Sequence, residues 1–458
     1  MNTRQRLFNI ILSLYVIFGI CNPSFSEGFR KYPYLQNVKP NEMTICWEIE
    51  STGDTTDLDN YRVEYGIGAY SDVASYPDAY PTDPRLFQLT LTGLHPGTLY
   101  QYRVKSGSVE DGATFLTAVE GSQPFSFAVY GDTRSQDDVP NRNHEEVVDL
   151  INSWSPNFVI STGDLWFSNG DEYSGGGVQE FFEVEKDLIK NTPLFPTLGN
   201  HEYYTSFSPG AGTYTEPESY KKYFVLPTNL SSTEDYYSFD YGNSHFLVVN
   251  TNRDESLEVG GSDYRVGSTQ HTAIERDLIN ASNSPDIVHI FVAMHKPAHS
   301  NGWKHGCGIG VIEDPVISVD LGELFQTYDV DIVFSSHEHN YERFQPADSN
   351  HQQIWIGEPP GDPTDPDHPC NTIDEGVTYV VTGGGGASLS YVDPSGTTED
   401  CPSSDPDCNL PTPALTSIIA ESTYHAMFIT VNGEKVNVEV KRTDGSVLDR
   451  FTVDKERR

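Results

Sequence analysis

The sequence predicts an α+β and α/β chain: a small β sandwich followed by a larger layered α/β domain. Two observations support this order. Residues 29–118 contain short β-type runs separated by turns rich in Gly, Pro and Asp, which is typical of all-β domains. From Phe125 onward, apolar strands alternate with helical stretches, which is typical of layered α/β domains. A segment with linker composition, Ala118–Pro124, joins the two regions.

The first region is predicted to be a sandwich from its short strands and from one corner. The predicted strands are Met43–Ile49, Tyr61–Tyr65, Leu86–Leu91, Tyr100–Val104 and Ala113–Leu116. The stretch Leu91–Val104 resembles the corner before the penultimate strand of fibronectin type III-like sandwiches. We therefore expect a fibronectin type III-like domain over residues 27–120.

The second region, residues 121–458, is predicted to alternate strands and helices. The strands are Phe125–Tyr130, Phe158–Ser161, Leu194–Leu198, His245–Asn250, Val288–Met294, Asp331–Phe334 and Thr378–Thr382. The helices are His144–Ser153, Val178–Lys190, Gln270–Ile279 and Leu321–Tyr328. Two acidic inserts, about 346–377 and 388–415, interrupt this pattern. The tail Tyr424–Asp454 returns to short strands with turns at Asn432-Gly433 and Asp444-Gly445.

The charge balance excludes one class of partner. The 458 residues carry a formal net charge of −39, with 28 Lys and Arg against 67 Asp and Glu. A polyanion would be repelled, so we expect no nucleic-acid binding through a basic surface. Aromatic residues make up 12% of the chain, which is enough to build hydrophobic cores despite the charge.

The first 26 residues are predicted to be a signal peptide. Arg4 and Arg6 precede an apolar run, Leu7–Ile20, and the small residues Ser24 and Ser26 follow it. The run is shorter than the ~20 residues that a membrane span needs, and no later segment is long and apolar enough. We therefore expect a secreted, periplasmic or extracellular protein with no transmembrane segment after cleavage.

Export permits disulfides, and the mature chain would keep five cysteines. Cys401–Cys408 and Cys307–Cys370 are candidate pairs, and Cys46 lies in an apolar strand pattern expected to bury a free thiol. The sequence leaves the connectivity open.

Polar residues follow five successive predicted strands. They occur in Gly131-Asp132-Thr133-Arg134, Thr162-Gly163-Asp164, Gly199-Asn200-His201-Glu202, at His295, and in His337-Glu338-His339. Open α/β sheets place their chemistry at the carboxyl ends of strands, so these side chains are expected to converge. Any one of them alone could be a turn residue or a helix cap, but five in order favour a functional site.

These residue types suit transition metals. Carboxylate, amide oxygen and imidazole without thiolate favour Mn, Fe or Zn. Two histidines at positions i and i+2 can serve neighbouring ions, and one carboxylate can bridge them. Such pairs lie ~3.5–4 Å apart, hold phosphate oxygens and lower the pKa of bound water to about 7. The sequence therefore predicts two metal ions, divalent or mixed-valence, acting on a small phosphate ester.

The motif series resembles the calcineurin-like metallophosphoesterases. The leading sandwich, the run His337–Arg343 and the run Tyr237–Gly242 are similar to purple acid phosphatases, and the resemblance covers almost the whole mature chain. It implies a four-layer αββα catalytic domain with a bridging Asp164. It also implies that the first ion is held by Asp132 and His339, and that the second is held by Asn200, His295 and His337. His201 would contact phosphate or stabilise the transition state.

Two positions depart from that family. Purple enzymes carry an iron-binding Tyr three residues after the bridging Asp, and Phe167 stands there, so a tyrosinate–Fe(III) centre is not expected. Many superfamily members have His where this chain has Arg134, which is expected to bind phosphate or to form a salt bridge. Other residues could replace the missing Tyr ligand. His144 is one candidate, although it is equally interpretable as a residue of the first helical turn. Asn169 is a weaker candidate.

The resemblance implies an acid phosphatase-like phosphomonoesterase in which a metal-bound hydroxide attacks. Lys304 and His305 stand where plant members have a histidine pair. Lys304 is expected to bind phosphate, and His305 is expected to act as a general acid. The loop that carries these two residues could equally be an ordinary lid. Arg134, Asn200 and His201 are the other predicted substrate contacts. Phosphodiesterase or 5'-nucleotidase activity is the nearest alternative. A non-catalytic protein that binds through the sandwich is the alternative from another class. The sequence leaves the oligomeric state open.

Overall fold

The structure is a computed structural model that describes most of the chain. The described residues are 28–50, 61–75, 77–134, 142–168, 177–203, 215–252, 263–300, 302, 317–344, 372–373, 376–390, 392 and 417–455. The predicted signal peptide, the four cysteines Cys307, Cys370, Cys401 and Cys408, and most of both acidic inserts lie outside these ranges.

The N-terminal region consists of two four-stranded sheets. Its strands are β1 Phe29–Gln36, β2 Glu42–Ile49, β3 Tyr61–Gly66, β4 Asp72–Ser75, β5 Asp78–Tyr80, β6 Asp83–Thr92, β7 Leu99–Ser106 and β8 Val109–Leu116. One sheet has the order β1-β2-β6-β5 and the other β4-β3-β7-β8. The Tyr61 ring stacks on Phe87 of the opposite sheet at 4.9 Å, and the Trp47 indole donates to Ser106 Oγ across the interface. Aromatic contacts between the sheets therefore form the predicted sandwich.

The remainder of the chain is a mixed α/β region. Its strands are β9 Phe125–Tyr130, β10 Phe158–Ser161, β11 Leu194–Pro196, β12 Tyr237–Tyr241, β13 Ser244–Val249, β14 His289–Met294, β15 Ile332–Ser335, β16 Tyr341–Phe344, β17 Thr372–Ile373, β18 Thr378–Thr382, β19 Ser417–Glu421, β20 His425–Asn432, β21 Lys435–Arg442 and β22 Val447–Asp454. Its α-helices are α1 Arg142–Trp154, α2 Val178–Ile189, α3 Glu218–Tyr223, α4 Thr269–Asn283 and α5 Gly322–Thr327. A 3₁₀ turn covers His201–Tyr203, and a π-helical turn, Ile317–Leu321, precedes α5.

These strands form two seven-stranded sheets. The first has the order β11-β10-β9-β20-β21-β22-β17, with β9, β10 and β11 parallel. The second has the order β12-β13-β14-β15-β18-β16-β19, with β13, β14, β15 and β18 parallel. In both sheets, the parallel strands lie side by side, so their carboxyl ends share an edge.

The two large sheets pack face to face through aromatic rings. Phe127 of the first sheet meets Phe246, Phe291 and Phe334 of the second at 5.2, 5.5 and 6.1 Å. Helices cover the outer faces: α1 packs its Trp154 on β20, and the buried faces of α4 and α5 share a hydrophobic cluster with the second sheet. This is the four-layer αββα arrangement that the sequence predicted.

The N-terminal sandwich packs against the α/β region. The Tyr34 hydroxyl donates to the carbonyl of Tyr223, and the Tyr102 hydroxyl donates to the carbonyl of Lys190. Buried apolar side chains of both regions form one continuous cluster. The division into domains at residue 120 stays a prediction.

The predicted elements are present with bounds shifted by at most four residues at either end. Strands β4, β5, β12, β16, β17 and β19 and helix α3 were not predicted, and neither was β1. Its sequence contains Lys31 and Pro33, which weaken a strand pattern. Lys31 is nevertheless buried because its ammonium group lies 2.6 Å from the buried carboxylate of Glu48. The predicted buried free thiol of Cys46 is confirmed. Among the described residues, no helix has a stretch long and apolar enough to cross a membrane.

Candidate metal centre

The six predicted ligand side chains meet at one edge of the paired sheets. They are Asp132 after β9, Asp164 after β10, Asn200 after β11, His295 after β14, and His337 and His339 after β15. Two groups of converging ligand atoms share Asp164, and within each group the atoms lie within 4.8 Å of one another. The topology thus brings together residues that are up to 207 positions apart in sequence.

One group, which we call the histidine pocket, contains Asp164, Asn200, His295 and His337. His295 Nε2 lies 3.0 Å from Asn200 Oδ1, 3.1 Å from His337 Nδ1 and 3.4 Å from Asp164 Oδ1. Neighbouring ligands of one ion, each bonded at roughly 2.1 Å, have separations of about 3.0–3.4 Å in octahedral and tetrahedral sites. The spacing therefore suits a single bound cation.

The hydrogen bonds around His295 show where its lone pair points. Its Nδ1 lies 2.9 Å from the carbonyl oxygen of Thr162, which can only accept, so Nδ1 carries the proton. In the neutral ring, Nε2 then presents a lone pair to the amide oxygen of Asn200. Two acceptors facing each other at 3.0 Å repel unless a cation lies between them. The donor set therefore fits a metal ion.

The other group, which we call the arginine pocket, contains Asp132, Asp164, His339 and Arg134. Arg134 donates from Nε to Asp164 Oδ2 at 3.1 Å, and its Nη2 lies 3.3 Å from His339 Nε2. Asp132 Oδ2 accepts from the backbone N–H of His337. Asp132 Oδ1 lies 3.4 Å from His339 Nε2 and accepts no hydrogen bond from the described residues. Arg134 therefore forms a buried salt bridge with the shared carboxylate, and phosphate binding by Arg134 stays a prediction.

The ligand-bearing backbone is held in an unusual conformation. Asp132, Asp164 and His337 have φ angles of 57°, 54° and 72°, the left-handed region that non-glycine residues rarely adopt. Each such residue costs about 1–3 kcal/mol, and such residues cluster at functional sites. The turns are closely packed: a Cβ atom at Gly199 would lie 2.2 Å from Asp164 Oδ1, so only glycine fits at that position.

Glu202 fixes the turn that carries Asp164. Its buried carboxylate accepts the backbone N–H groups of Asp164, Leu165 and Gly199 at 3.0, 2.8 and 2.6 Å. Burial and the charge of Asp164 raise the pKa of Glu202, whereas the three backbone N–H groups oppose this by stabilising the carboxylate. In the sequence, Glu202 stands out only as a member of the run Gly199-Asn200-His201-Glu202. Its partners are backbone N–H groups, so the sequence holds no signal of this role.

Charge states in the histidine pocket match those of metal ligands. Burial alone raises the pKa of the Asp164 carboxyl, but His295, His201 and Arg134 hold it well below its usual range. Burial, reinforced by His295, holds the pKa of His337 far below its usual value. Asp164 is therefore ionised and His337 is neutral near pH 7, which are the forms that coordinate a cation.

His201 lies beside the bridging carboxylate. Its Nδ1 lies 2.6 Å from the carbonyl of Phe167, so Nδ1 carries a proton, and its Nε2 lies 3.8 Å from Asp164 Oδ2. Burial lowers the pKa of His201 to about 4. The ring is therefore held in a fixed orientation beside Asp164.

The structure does not bring His144 into either pocket. His144 is buried in α1, and its Nε2 lies 2.8 Å from Glu185 of α2, which also accepts from the Tyr130 hydroxyl. Spacing along the sequence could not reveal this partner, which is 41 positions away. The predicted contacts Lys304 and His305, and the weaker candidate Asn169, lie outside the described residues.

The comparisons with known proteins agree with this geometry. A family model for calcineurin-like phosphoesterases matches residues 125–341. An uncharacterized protein of Mycobacterium tuberculosis is 27% identical over 377 residues, which cover 76% of this chain and 67% of that protein. Purple acid phosphatase 23 of Arabidopsis thaliana is 26% identical over 317 residues, covering 61% of this chain and 63% of the plant protein. This chain therefore spans somewhat less than two thirds of the plant relative.

A solved structure shares the fold. The purple acid phosphatase PPD1 from yellow lupin (Lupinus luteus) seeds matches with a TM-score of 0.68 and 20% identity, covering 92% of this chain and 74% of that one. Residues 125–341, which the family model matches, include all five strands that the six ligands follow, namely β9, β10, β11, β14 and β15. The chain therefore carries a calcineurin-like phosphoesterase domain and has the fold of purple acid phosphatases.

Proposed function

We propose that this protein hydrolyses phosphate esters at the metal centre, with phosphate monoesters as its main substrates. The observation that carries the proposal is the convergence of ligand lone pairs in the histidine pocket, where His295 Nε2 faces Asn200 Oδ1 at 3.0 Å. The phosphoesterase family match over the same residues supports it. The purple acid phosphatase relatives favour monoesters within that class.

Asp164, Asn200, His295 and His337 would hold a divalent ion such as Mn, Fe or Zn. A bound divalent ion supplies Lewis-acid chemistry, activating water and drawing charge from the phosphoryl oxygens. Thr162 and Ser336 support this set because both lie within hydrogen-bond distance of His295 Nδ1. Such outer contacts fix the tautomer and orientation of a ligating imidazole.

Arg134 and His201 are the side chains that we propose for binding the phosphate. Arg134 is 4% exposed, and its Nη1 has no hydrogen-bond partner among the described residues. A guanidinium N–H donates well to phosphate oxygen. Burial lowers the pKa of His201 to about 4, so its Nε2, oriented by the contact of Nδ1 to Phe167, carries a lone pair near pH 7 and is suited to take up a proton beside the phosphate. Lys304 and His305 remain proposed contacts from the sequence alone.

Metal content and ester hydrolysis measured together test the proposal. Wild type, Asp164→Ala and His295→Ala should be compared on p-nitrophenyl phosphate and on its bis ester. We expect both variants to lose bound metal and at least about 10²-fold in kcat/KM, because the electrostatic support of the transition state disappears. His95→Ala is the matched control, since His95 is exposed in the N-terminal sandwich.

Each outcome bears on the proposal. Faster hydrolysis of the monoester supports a phosphomonoesterase, whereas preference for the bis ester would assign a diesterase. A wild-type protein that binds no metal and hydrolyses neither ester after metal supplementation would contradict the enzymatic function. Equal activity of His295→Ala and His95→Ala would remove the histidine pocket from the mechanism.

The basic and apolar N-terminus supports a second proposal, that the protein is exported. Arg4, Arg6 and the apolar run Leu7–Ile20 have the composition of a signal peptide. N-terminal sequencing of the protein recovered from outside the cytoplasm should begin near residue 27. An intact N-terminus on cytoplasmic protein would contradict export.

A further inference from the structure

A two-ion centre requires that the side chains of the arginine pocket be available to bind a metal ion. Two of them, Asp164 and His339, already contact Arg134, and this bears on the number of ions that the centre holds. The inference drawn from it rests on the proposed function, because it concerns the same centre. The family resemblance implies a first ion held by Asp132, Asp164 and His339. In the structure, the guanidinium of Arg134 contacts two of these three side chains.

His339 can serve only one cation at a time. Its Nδ1 lies 2.6 Å from the carbonyl oxygen of Ser388, so Nδ1 carries the proton and Nε2 keeps a single lone pair. Arg134 Nη2, which can only donate, lies 3.3 Å from that Nε2 atom. A metal ion bound by Nε2 would need the same lone pair, so Arg134 and the ion compete for it.

The two oxygens of the shared Asp164 carboxylate have different partners. Asp164 Oδ2 accepts from Arg134 Nε at 3.1 Å, while Asp164 Oδ1 accepts from the backbone N–H of His201 and faces His295. One carboxylate oxygen therefore meets a guanidinium and the other lies toward the histidine pocket. A metal ion bridged through Oδ2 would have to share that oxygen with a fixed positive charge.

Charge and ligand count also disfavour an ion in the arginine pocket. The Phe167 ring, which offers no ligand atom, has its centre 5.9 Å from the central guanidinium carbon of Arg134. Asp132 and Asp164 are buried, and the guanidinium already offsets part of their negative charge. A divalent ion beside it would be repelled at short range in a buried site.

We propose that Arg134 takes the place of one metal ion, so that the centre holds a single divalent ion in the histidine pocket and a guanidinium in the arginine pocket. The two cations flank Asp164. Arg134 Nη1, which has no partner among the described residues, is the group that receives a phosphate oxygen. The proposal replaces the two-ion prediction with a centre of one ion and one arginine.

Metal stoichiometry tests the proposal without relying on catalysis. The purified protein is saturated with Mn²⁺, freed of excess ion and analysed by plasma mass spectrometry and electron paramagnetic resonance. Wild type should hold one ion per chain and give the six-line spectrum of an isolated ion. Arg134→His replaces the guanidinium with a ligand and should hold two ions with a spin-coupled spectrum. Arg134→Lys retains the charge and should hold one.

Two further variants keep the test decisive. Arg134→Met removes the charge without adding a ligand and should bind a second ion more weakly than Arg134→His, which separates repulsion from ligand loss. His339→Ala should still hold one ion.

Circular dichroism melting identifies any unfolded variant, and the ion content of the wild type alone then decides the question. Two ions per wild-type chain together with ester hydrolysis would overturn the proposal while leaving the proposed function intact. No bound ion and no hydrolysis would overturn both.

Discussion

The histidine pocket and the arginine pocket share the carboxylate of Asp164 but satisfy their lone pairs in different ways. In the histidine pocket, an imidazole lone pair of the neutral His295 ring faces an amide oxygen, an arrangement that a bound metal ion stabilises. In the arginine pocket, an imidazole lone pair already faces a guanidinium N–H. The same set of strand ends can therefore bind a metal ion from solution in one pocket and place the guanidinium of Arg134 in the other. Matched substitutions in the two pockets can separate these cases.

The largest expected difference is between His337→Ala and His339→Ala. The two residues belong to the same turn after β15, but one faces each pocket. We expect His337→Ala to lose the bound ion and about 10³-fold in kcat/KM, since an ion contributes several kcal/mol of transition-state stabilisation. His339→Ala should retain the ion and lose about 10-fold, because Arg134 still supplies charge.

Metal analysis and steady-state kinetics on p-nitrophenyl phosphate measure both effects in the same preparations. Equal losses of metal and activity in the two variants would mean that both pockets bind ions in the same way. The distinction between the pockets would then be wrong.

A second buried arginine–aspartate pair sharpens the comparison. Arg343 donates to both oxygens of Asp449, from Nε at 2.6 Å and from Nη2 at 2.9 Å, and both side chains are fully buried. Arg343→Met should lower the free energy of unfolding by about 3–5 kcal/mol, because Asp449 is left as an unpaired buried charge. Chemical denaturation measures this loss. The ion content should stay at the wild-type value, whereas Arg134→Met should change it.

Glu202→Gln tests how far the Asp164 turn determines ion binding. A glutamine keeps one acceptor oxygen for the three backbone N–H groups that Glu202 binds, and its amide N–H₂ group faces another donor. We expect affinity for the ion to fall about 10–100-fold, as for other residues that orient ligands.

Glu185→Gln is the matched control for this variant. Glu185 is also a buried glutamate, but its partners are Tyr130 and His144 rather than the ligand turn. Isothermal titration with Mn²⁺ should find wild-type affinity in Glu185→Gln. Equal weakening in both variants would point to general destabilisation instead of positioning.

The smallest effect concerns a histidine–carboxylate cluster outside the centre. His245 Nδ1 lies 2.7 Å from Asp240 Oδ1, and His245 Nε2 lies 2.9 Å from Asp277 Oδ2. When both ring nitrogens are protonated, the imidazolium donates to both carboxylates, so no metal ion is needed to balance their charge. Burial alone lowers the pKa of His245, but the hydrogen bonds to both carboxylates raise it to about 9.

Because this pKa lies above the unfolded value of about 6.5, the cluster stabilises the fold fully below pH 6.5 and loses that contribution as pH rises through 9. Asp240 is largely exposed, so we expect about 1–2 kcal/mol. Denaturation of wild type and His245→Asn at pH 6 and pH 10 should show a difference only at pH 6. A constant difference at both values would contradict the assignment.

The six ligands could be predicted from the sequence because each follows an apolar strand, and parallel strands end at a common edge. The contacts of Arg134 could not be predicted. Its partners Asp164 and His339 lie 30 and 205 positions away, and only the packing of the two sheets brings them together. The hydrogen bonds of Glu202 could not be predicted either, because its partners are backbone N–H groups, which every non-proline residue has.

Anomalous diffraction from crystals loaded with Mn²⁺ tests the central claim most directly. We predict one strong peak per chain, surrounded by Asp164, Asn200, His295 and His337, with Arg134 in contact with Asp164 and His339. A second peak of similar height between Asp132 and His339, with Arg134 displaced, would contradict the account.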